Sequence, residues 1–374
     1  MKNILTGCTF LLFIAIGAST GAVRADNESD GNRNAAQRFA TLPDGVRFPE
    51  GITANPANGD IFVSTFDSPS PANPNPNNKL LRFDRHGKLE ASRDFGRTPL
   101  LGLEFDRANR KVYIANVGDF AGGVSKIQRI AANFNATTTI ENVAEIPSVG
   151  APGQRTVPNP DGSSDTITFG HGARVPNAIV FDSYGNLYVS DSFQGAIFRI
   201  DDAARCSATC FINPISRDPL LATAGFPPFG ANGLALSRDE KTLFIANTGD
   251  DRILKLDLTR RPPSTDAVSV FAESINGADG IAFDKHGRLW VAANQADEVV
   301  ALNANGRVVA KLGDFEGIRN DGSPRGLLFP ASLVIVGDDM FVTNLAVPLT
   351  DAEGDEPEED VKRWTVSRIK LPHP

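Results

Sequence analysis

Scarce residue types restrict what this chain of 374 residues can be. It contains only three cysteines and four histidines, the residues that most zinc sites use, so few combinations for such a site exist. Acidic residues number 45 against 37 basic ones, which gives a formal net charge of −8. Because contact with phosphates needs a basic face, this balance argues against a nucleic-acid partner.

Long apolar runs are also scarce, and the clearest one lies near the amino terminus. Lys2 precedes an apolar stretch at residues 10–16, and small residues follow at positions 22–25. This order is typical of a secretory signal, so we expect residues 1–25 to be removed and residues 26–374 to form a single domain. No other segment has the ~18 apolar residues of a membrane helix. We therefore expect a secreted or periplasmic protein without membrane contact after cleavage.

Two cysteines would remain in the exported protein. Cys8 lies in the predicted signal, whereas Cys206 and Cys210 are four positions apart. In an oxidising compartment we expect these two to form a disulfide that closes a short loop. Free thiols are the alternative, and a zinc site is disfavoured because no histidine lies near them in the sequence.

A short phrase with a small residue before an apolar one occurs six times in the chain. Its copies begin at Pro49, Leu100, Pro176, Ala231, Ala278 and Pro324. Most copies lie about 45–55 residues apart, and each is followed by strands of alternating apolar and polar residues, which is typical of propeller blades. The two tryptophans, Trp290 and Trp364, are too few for the WD40 class of propeller.

The last repeat ends at a third strand, so its fourth strand is missing. Residues 37–43 near the mature amino terminus resemble that strand. We expect them to pair with the last repeat and to close the ring, which would remove two open sheet edges. The sequence therefore predicts an all-β fold, a six-bladed β-propeller closed by an N-terminal strand.

The second position of the phrase differs between copies, and propeller geometry makes that position important. The first strand of each blade lies beside the central channel, so these positions should form a ring around one mouth of it. The ring would contain Glu50, Leu101, Asn177, Asn232, Asp279 and Arg325. Second strands end on the same face, where we expect a further polar tier that contacts substrate. Its members would be Asn116, Asp191, Asn247, Asn294 and Asn344.

Four members of the ring carry oxygen ligands suited to a hard cation. Glu50 and Asp279 supply carboxylates, and Asn177 and Asn232 supply amide oxygens. Calcium takes six to eight oxygen ligands, and two carboxylates would balance its charge. The alternative is that Asn and Asp cap turns before the strands, although this would not account for Glu50. Arg325 could bind a substrate carboxylate or a developing oxyanion, or could pair with Glu50 or Asp279.

The repeated phrases resemble a known family. Residues 49–51, 231–247 and 278–292 look like the gluconolactonase / senescence-marker-protein (regucalcin) group, within propellers that include strictosidine-synthase-like enzymes. The resemblance implies a six-bladed propeller with a catalytic divalent ion held by Glu50, Asn177, Asn232 and Asp279. Calcium is the expected metal, with Mg²⁺, Mn²⁺ or Zn²⁺ as alternatives because the family accepts several ions.

The resemblance also implies hydrolytic chemistry, with a proton acceptor still to be chosen. The ion would polarise a lactone or ester carbonyl and stabilise the oxyanion. Family members imply Asp279 as the general base. His171, just before the third copy of the phrase, is the rival because paraoxonases use a histidine, and a loop histidine without a role is the alternative.

The expected function is therefore an exported, metal-dependent hydrolase of lactones or related esters. The alternative is a non-catalytic, NHL-like propeller that binds a ligand or a protein and keeps the ion for structure.

Overall fold

Alternating apolar residues form strands along most of the chain in the computed structural model. It describes residues 34–71, 73–118, 123–150, 153–206, 209–260, 267–350 and 352–373. The predicted signal, residues 1–25, lies outside these residues. Within them, no helix is both long enough and apolar enough to cross a membrane. The predicted all-β class is confirmed, since the helical segments described are short 3₁₀ turns at Pro219–Leu221, Asn294–Ala296 and Pro357–Asp360.

The strands group into six four-stranded sheets, the blades, together with two small hairpins. The N-terminal strand is β1 (Gln37–Thr41). The first blade contains β2 (Pro49–Asn55), β3 (Asp60–Thr65), β4 (Asn78–Phe83) and β5 (Leu89–Gly96). The second contains β6 (Leu100–Asp106), β7 (Lys111–Asn116), β8 (Lys126–Ala131) and β9 (Glu141–Glu145). The β10 (Gln154–Pro158) and β11 (Ser164–Thr168) hairpin follows.

The remaining blades continue in chain order. The third contains β12 (Pro176–Phe181), β13 (Leu187–Asp191), β14 (Ala196–Ile200) and β15 (Ile212–Ser216). The fourth contains β16 (Ala231–Leu236), β17 (Thr242–Asn247), β18 (Arg252–Asp257) and β19 (Val268–Ala272). The fifth contains β20 (Ala278–Phe283), β21 (Leu289–Ala293), β22 (Glu298–Leu302) and β23 (Val308–Gly313). After the β24 (Phe315–Ile318) and β25 (Pro324–Gly326) hairpin, the sixth contains β26 (Pro330–Val336), β27 (Asp339–Asn344) and β28 (Thr365–Lys370).

The six inner strands form a closed ring, which confirms the predicted six-bladed propeller. Each of β2, β6, β12, β16, β20 and β26 contacts the next, and β26 contacts β2. Strand β1 pairs antiparallel with β28, so the sheet order of the sixth blade is β1-β28-β27-β26. The Thr343 hydroxyl on β27 also donates a hydrogen bond to the Glu50 carbonyl oxygen on β2, 2.7 Å away. The first and last blades are thus joined through side chains as well as through the backbone.

Apolar side chains pack between neighbouring blades. Trp290 of the fifth blade is fully buried and belongs to one cluster with Leu333, Met340 and Ile369 of the sixth. This inter-blade packing fixes the position of each inner strand, because it buries the faces of the sheets that adjoin one another. Away from the ring, Cys206 and Cys210 are joined by a disulfide.

The sixth copy of the phrase was placed wrongly, at Pro324 instead of Pro330. In the other blades, pairing between first and second strands shifts register directly after the residue that opens the phrase, as between Ala278 and Ile281. In the sixth blade this shift lies between Pro330 and Leu333. The sixth ring position is therefore Ala331, which is buried.

Arg325 lies outside the ring, and the prediction that it completes the ring is wrong. It belongs to the short strand β25, which pairs with β24, and its side chain is exposed. The Gly326-Leu327 step imitates the small-apolar step of the phrase. However, Gly326 has φ +80°, a conformation that glycine adopts readily, and it lies against the Asp314 carbonyl in this hairpin.

Candidate active site

The register shift of each inner strand lies at the ring position itself. In the first blade Pro49 pairs with Thr65, but the next pair is Ile52 with Val63. Glu50 and Gly51 therefore fall within an irregular step of the ladder, as Asp279 and Gly280 do in the fifth blade. Five ring residues line one pocket, namely Glu50, Leu101, Asn177, Asn232 and Asp279. The structure thus brings all four predicted cation ligands together.

The glycines after the ring positions allow neighbouring blades to approach closely. A Cβ atom added to Gly233 would meet the backbone oxygen of Asp279 well inside van der Waals distance. Gly51 has the same relation to the Leu101 backbone, and Gly102 to that of Asn177. The small residue of the phrase is therefore required because the next ring residue packs directly against it.

The two carboxylates of the ring are buried and lack part of their hydrogen bonding. Glu50 is 4% exposed and Asp279 is 5% exposed. Among the described residues, Glu50 Oε2 and Asp279 Oδ1 have no hydrogen-bond partner. A buried acceptor without a partner is costly, and a buried charge without compensation is more so. A bound cation would satisfy both oxygens.

Burial shifts the ionisation of both groups. It raises the pKa of the Glu50 carboxyl well above its ordinary range, and the nearby Asp279 carboxylate raises that pKa further. Burial also raises the pKa of Asp279 to about 7, against the opposite effect of the hydrogen bond from Asn294 and of the polar Asn232 side chain nearby. Two acids that disfavour each other's charge in an apolar setting are typical of a functional site.

The two asparagines of the ring are held by hydroxyl groups. Asn177 Nδ2 donates to Ser192 Oγ at 3.0 Å, and Ser192 in turn donates to the Ala231 carbonyl oxygen at 2.8 Å. Asn232 Nδ2 donates to Thr248 Oγ1 at 2.9 Å, and Thr248 donates to the Ala278 carbonyl oxygen at 2.8 Å. Because each amide nitrogen is engaged by a hydroxyl, the amide oxygen is the atom available for a cation.

Of the predicted second tier, only Asn294 lines the pocket. Its Nδ2 donates to Asp279 Oδ2 at 3.1 Å, and its Oδ1 is a third buried oxygen without a partner among the described residues. Asn294 differs from the other predicted members of the tier in its position relative to the end of the second strand. The residue that pairs with the start of β20 is Ala293, so Asn294 lies one position beyond the strand end. The equivalent residues in other blades are Phe66, Ser192, Thr248 and Leu345.

The other four members of the predicted tier bind neighbouring backbone and side chains instead. Asp191 accepts hydrogen bonds from the Val175 and Gln194 backbone nitrogens at 3.0 and 2.9 Å. Amide nitrogens of the remaining three donate to partners close by: Asn116 to Gln128, Asn247 to the Leu220 carbonyl, and Asn344 to Thr365 and Ser367. The prediction that these four line the pocket is wrong. Side chains alternate along a strand, and where a blade lines the pocket at this level, the residue that does so is the next one along the chain.

Apolar side chains form the wall of the pocket, and they were not predicted from the sequence. They come from the loops after second strands and from the segments before β16 and β26: Phe66, Phe229, Phe329, Leu345, Val347 and Leu349. Phe66 and Leu345 share the position one residue beyond the second strand, which is the signal that could have found them. The others lie in irregular loops without a repeating pattern.

His171 lies outside this wall. Its ring packs on Phe193 with centroids 4.8 Å apart, and Phe193 packs on Phe229 at 5.4 Å. Phe229 lines the pocket, whereas His171 is exposed and is absent from the described lining. A general base must come within hydrogen-bond reach of the water it activates, whereas the ring of His171 contacts Phe193 and is not part of the described lining.

Part of this site falls within a stretch that matches a known family. Residues 228–313 match the model described as the SMP-30/Gluconolactonase/LRE-like region. These residues form a gluconolactonase-like region. The resemblance predicted from the sequence is thereby confirmed, and the region supplies Asn232, Thr248, Asp279 and Asn294 to the pocket.

Other proteins are similar to this chain, one in part of its sequence and others in the whole fold. A lactonase, drp35, from Staphylococcus saprophyticus is 28% identical over 139 residues, 36% of this chain and 40% of that protein. The chain thus matches less than half the length of this relative. Among solved structures, a luciferin-regenerating enzyme has a TM-score of 0.60 at 14% identity, covering 90% of this chain and 95% of that one.

Two further structures share the fold. A calcium-binding protein, regucalcin, from Agrobacterium tumefaciens has a TM-score of 0.56 at 15% identity, with 91% and 96% of the two chains covered. A gluconolactonase from Xanthomonas campestris has a TM-score of 0.52 at 13% identity, with 91% and 95% covered. At these identities the likeness establishes the propeller fold alone.

The donor set of the pocket fits a hard cation. No group of three or more His, Cys, Asp or Glu suited to a metal occurs in the part of the chain that the structure describes. The pocket instead combines two carboxylates with amide oxygens, and three of its oxygens lack partners there. All-oxygen ligation with water completing the shell is typical of calcium, whereas zinc favours nitrogen and sulfur.

Proposed function

We propose that this protein is a hydrolase of lactones or related esters that depends on a divalent cation, with calcium as the expected ion. The observation that carries the proposal is the pair of buried oxygens, Glu50 Oε2 and Asp279 Oδ1, that share one pocket without partners among the described residues. Further support comes from similar proteins, one named a lactonase and one described as a gluconolactonase.

Glu50, Asn177, Asn232 and Asp279 would hold the ion. When bound, a divalent cation would polarise the substrate carbonyl and stabilise the negative charge that develops on its oxygen. The tethers from Ser192 and Thr248 would keep the two amide oxygens in place before substrate arrives, so little reorganisation would be needed during the reaction.

Asp279 would accept the proton of the attacking water. It lies in the pocket and its Oδ2 is fixed by Asn294, so Oδ1, which has no hydrogen-bond partner among the described residues, would serve both the ion and the attacking water. The Asn294 Oδ1 atom could accept a hydrogen bond from the same water and orient it. Water would add to the carbonyl carbon, the carbon–oxygen bond of the ring would break, and the proton would pass to the leaving oxygen. The product is a hydroxy acid.

A hydrolysis screen with and without calcium would test the proposal. Purified protein would be treated with a chelator and assayed on a panel of lactones and aryl esters by proton release. We expect no turnover after chelation and recovery when Ca²⁺ is added. Turnover that chelation does not affect would contradict the role of the cation. Calcium binding without turnover of any substrate would favour the non-catalytic, NHL-like alternative.

Export is part of the proposal. It is supported by the signal-like pattern of residues 1–25 and by the Cys206–Cys210 disulfide, since disulfides persist in oxidising compartments. Fractionation of cells that express the full chain would test it. We expect a shortened protein outside the cytoplasm, and full-length protein confined to the cytoplasm would contradict export.

A further inference from the structure

The wall of the pocket differs in chemistry from its floor. Carboxylate, amide and hydroxyl groups lie on the inner strands and at the ends of second strands, around the proposed ion. Above them, the described lining is apolar, with Phe66, Phe229, Phe329, Leu345, Val347 and Leu349. A substrate whose carbonyl reaches the floor would therefore place its substituents against hydrocarbon.

The polar groups of the floor are largely engaged with one another or assigned to the proposed ion. The amide nitrogens of Asn177 and Asn232 donate to hydroxyls, and the amide nitrogen of Asn294 donates to Asp279. The six apolar side chains of the wall carry no donor or acceptor. Hydroxyls of a sugar lactone that lie against this wall would lose their hydrogen bonds to water without regaining them, which is unfavourable for each buried hydroxyl.

The apolar wall is fixed in position by polar contacts behind it. The Leu349 backbone nitrogen donates to Glu356 Oε2 at 2.7 Å, and the Phe329 backbone nitrogen donates to Asp297 Oδ1 at 2.7 Å. The rings of Phe66 and Phe229 meet edge to face with centroids 6.4 Å apart. A wall held this way is ready to receive a ligand without first ordering its loops.

Charge also selects among substrates. Glu50 and Asp279 together would balance a divalent ion and leave the floor without net positive charge. In the part of the chain that the structure describes, no Lys or Arg lines the pocket. A substrate carboxylate or phosphate would find no cationic side chain there to pair with, which favours a neutral substituent.

Resting on the proposed function, we propose that the substrates are lactones or esters whose substituent is a neutral alkyl or aryl group, and that sugar lactones are poor substrates. The wall named above is the specificity-determining surface. Leu349 and Phe229 contact the substituent, while the floor binds the carbonyl end.

A homologous series of substrates would test this. We would compare kcat/KM for γ-lactones with alkyl side chains of increasing length and for glucono-δ-lactone. We expect kcat/KM to rise roughly fourfold for each added methylene, the factor that corresponds to ~0.8 kcal/mol per buried CH₂, until the wall is filled. We expect glucono-δ-lactone to be hydrolysed more slowly than every alkyl lactone.

A matched pair of variants would locate the effect. Leu349→Asn should reduce the gain in kcat/KM for each added methylene. Leu89→Asn makes the same chemical change on the outer strand β5, where Leu89 is 39% exposed, and should keep the wild-type series. Thermal unfolding would verify that both variants are folded.

The outcomes separate the two proposals. Faster hydrolysis of glucono-δ-lactone than of the alkyl lactones, or the same gain per methylene in wild type and Leu349→Asn, would overturn the substrate inference and leave the hydrolase intact. If no lactone is hydrolysed, the proposed function fails. Calorimetry with a lactam analogue then decides the inference: binding with a negative heat-capacity change supports an apolar site, and its absence overturns it.

Discussion

At the scale of single residues, the proposed chemistry rests on two buried acids that destabilise each other's charged form. Burial raises the pKa of both carboxyls, to about 7 for Asp279, and the two charges repel. A group whose pKa is raised in the folded state contributes fully to stability below its unfolded pKa, near ~4 for a carboxyl. That contribution is lost as pH rises through the folded pKa.

The first prediction therefore links pH and calcium. Without the ion, the free energy of unfolding should fall as pH rises from ~4 through about 7. Because the carboxyls must lose protons to bind a cation, added Ca²⁺ should raise the Tm more at pH 8 than at pH 5. Glu104 also has its pKa raised by burial, to about 8, so the calcium-dependent difference is the informative quantity. An equal calcium effect at both pH values would contradict the account.

The second prediction concerns Asp279 itself. In Asp279→Asn the ion-free protein should have a higher Tm at pH 8, because a neutral amide replaces a buried carboxylate. Hydrolysis should fall by at least about 100-fold, a loss in the range expected when a charged catalytic group is removed. Asp338→Asn, an exposed change at the Lys285 ion pair, serves as the control. Unchanged turnover in Asp279→Asn would rule it out as the base.

The third prediction concerns His171. Because the ring of His171 packs on Phe193 and is not part of the described pocket lining, His171→Ala should keep kcat/KM within about twofold of wild type. Steady-state kinetics on the best lactone would measure this. If turnover is abolished while the Tm is unchanged, the proton acceptor is His171 and our assignment is incorrect.

At the scale of single elements, each blade places one residue of its first strand in the ring, and four blades also line the described pocket with the residue that follows the second strand. The glycine step of the phrase lets the next blade approach, so strand spacing and ligand position are coupled. Gly233 illustrates this, since its α-carbon faces the backbone oxygen of Asp279. The geometry of the candidate cation site is therefore set by contacts between blades.

The fourth prediction tests that coupling. Gly233→Ala should displace β20 and reduce both the Tm and the affinity for calcium, because the added methyl group has no room. Gly172→Ala makes the same change where a Cβ atom would meet nothing within 4 Å, and should behave as wild type. Equal calcium affinity in the two variants, measured by calorimetry, would disprove the coupling.

The site could be predicted from the sequence only where a residue belongs to the repeated phrase. Glu50, Asn177, Asn232 and Asp279 could be predicted because the repeated phrase gave their register directly. The position of a strand end is uncertain by one residue in the sequence, and a shift of one residue turns the side chain to the other face of the sheet. For this reason the prediction misplaced Asn116, Asp191, Asn247 and Asn344. Arg325 was misplaced because a hairpin glycine imitates the phrase. Leu349 and Phe229 lie in loops, where no period constrains position.

At the scale of the whole molecule, the repeat count and strand alternation were enough to predict a six-bladed propeller. Two segments do not follow the repeat: the long interval after the second copy of the phrase and the hairpin before the sixth blade. Their conformation could be described only from the structure. Strand β1 joins the two ends of the chain in one sheet through its pairing with β28. The ring then brings Glu50 of the first blade into one pocket with Asn177, Asn232 and Asp279, which come much later in the sequence.

The fifth prediction follows from that pairing. Deletion of Gln37–Thr41 should lower the Tm and weaken calcium binding, because the sixth blade would lose its outer strand and the edge of β28 would be exposed. Removal of the exposed residue His373 at the other end is the control. A deletion variant that unfolds at the wild-type temperature would show that β1 does not stabilise the ring.

The central claim is that Glu50, Asn177, Asn232 and Asp279 hold one divalent cation at the mouth of the channel. Isothermal calorimetry with Ca²⁺ on chelator-treated protein tests it most directly. The account predicts a single saturable site per chain in wild type and in Asp338→Asn, with affinity strongly reduced in Asp279→Asn and Glu50→Gln. Absence of calcium binding to the wild-type protein, or equal affinity in all four proteins, would contradict it.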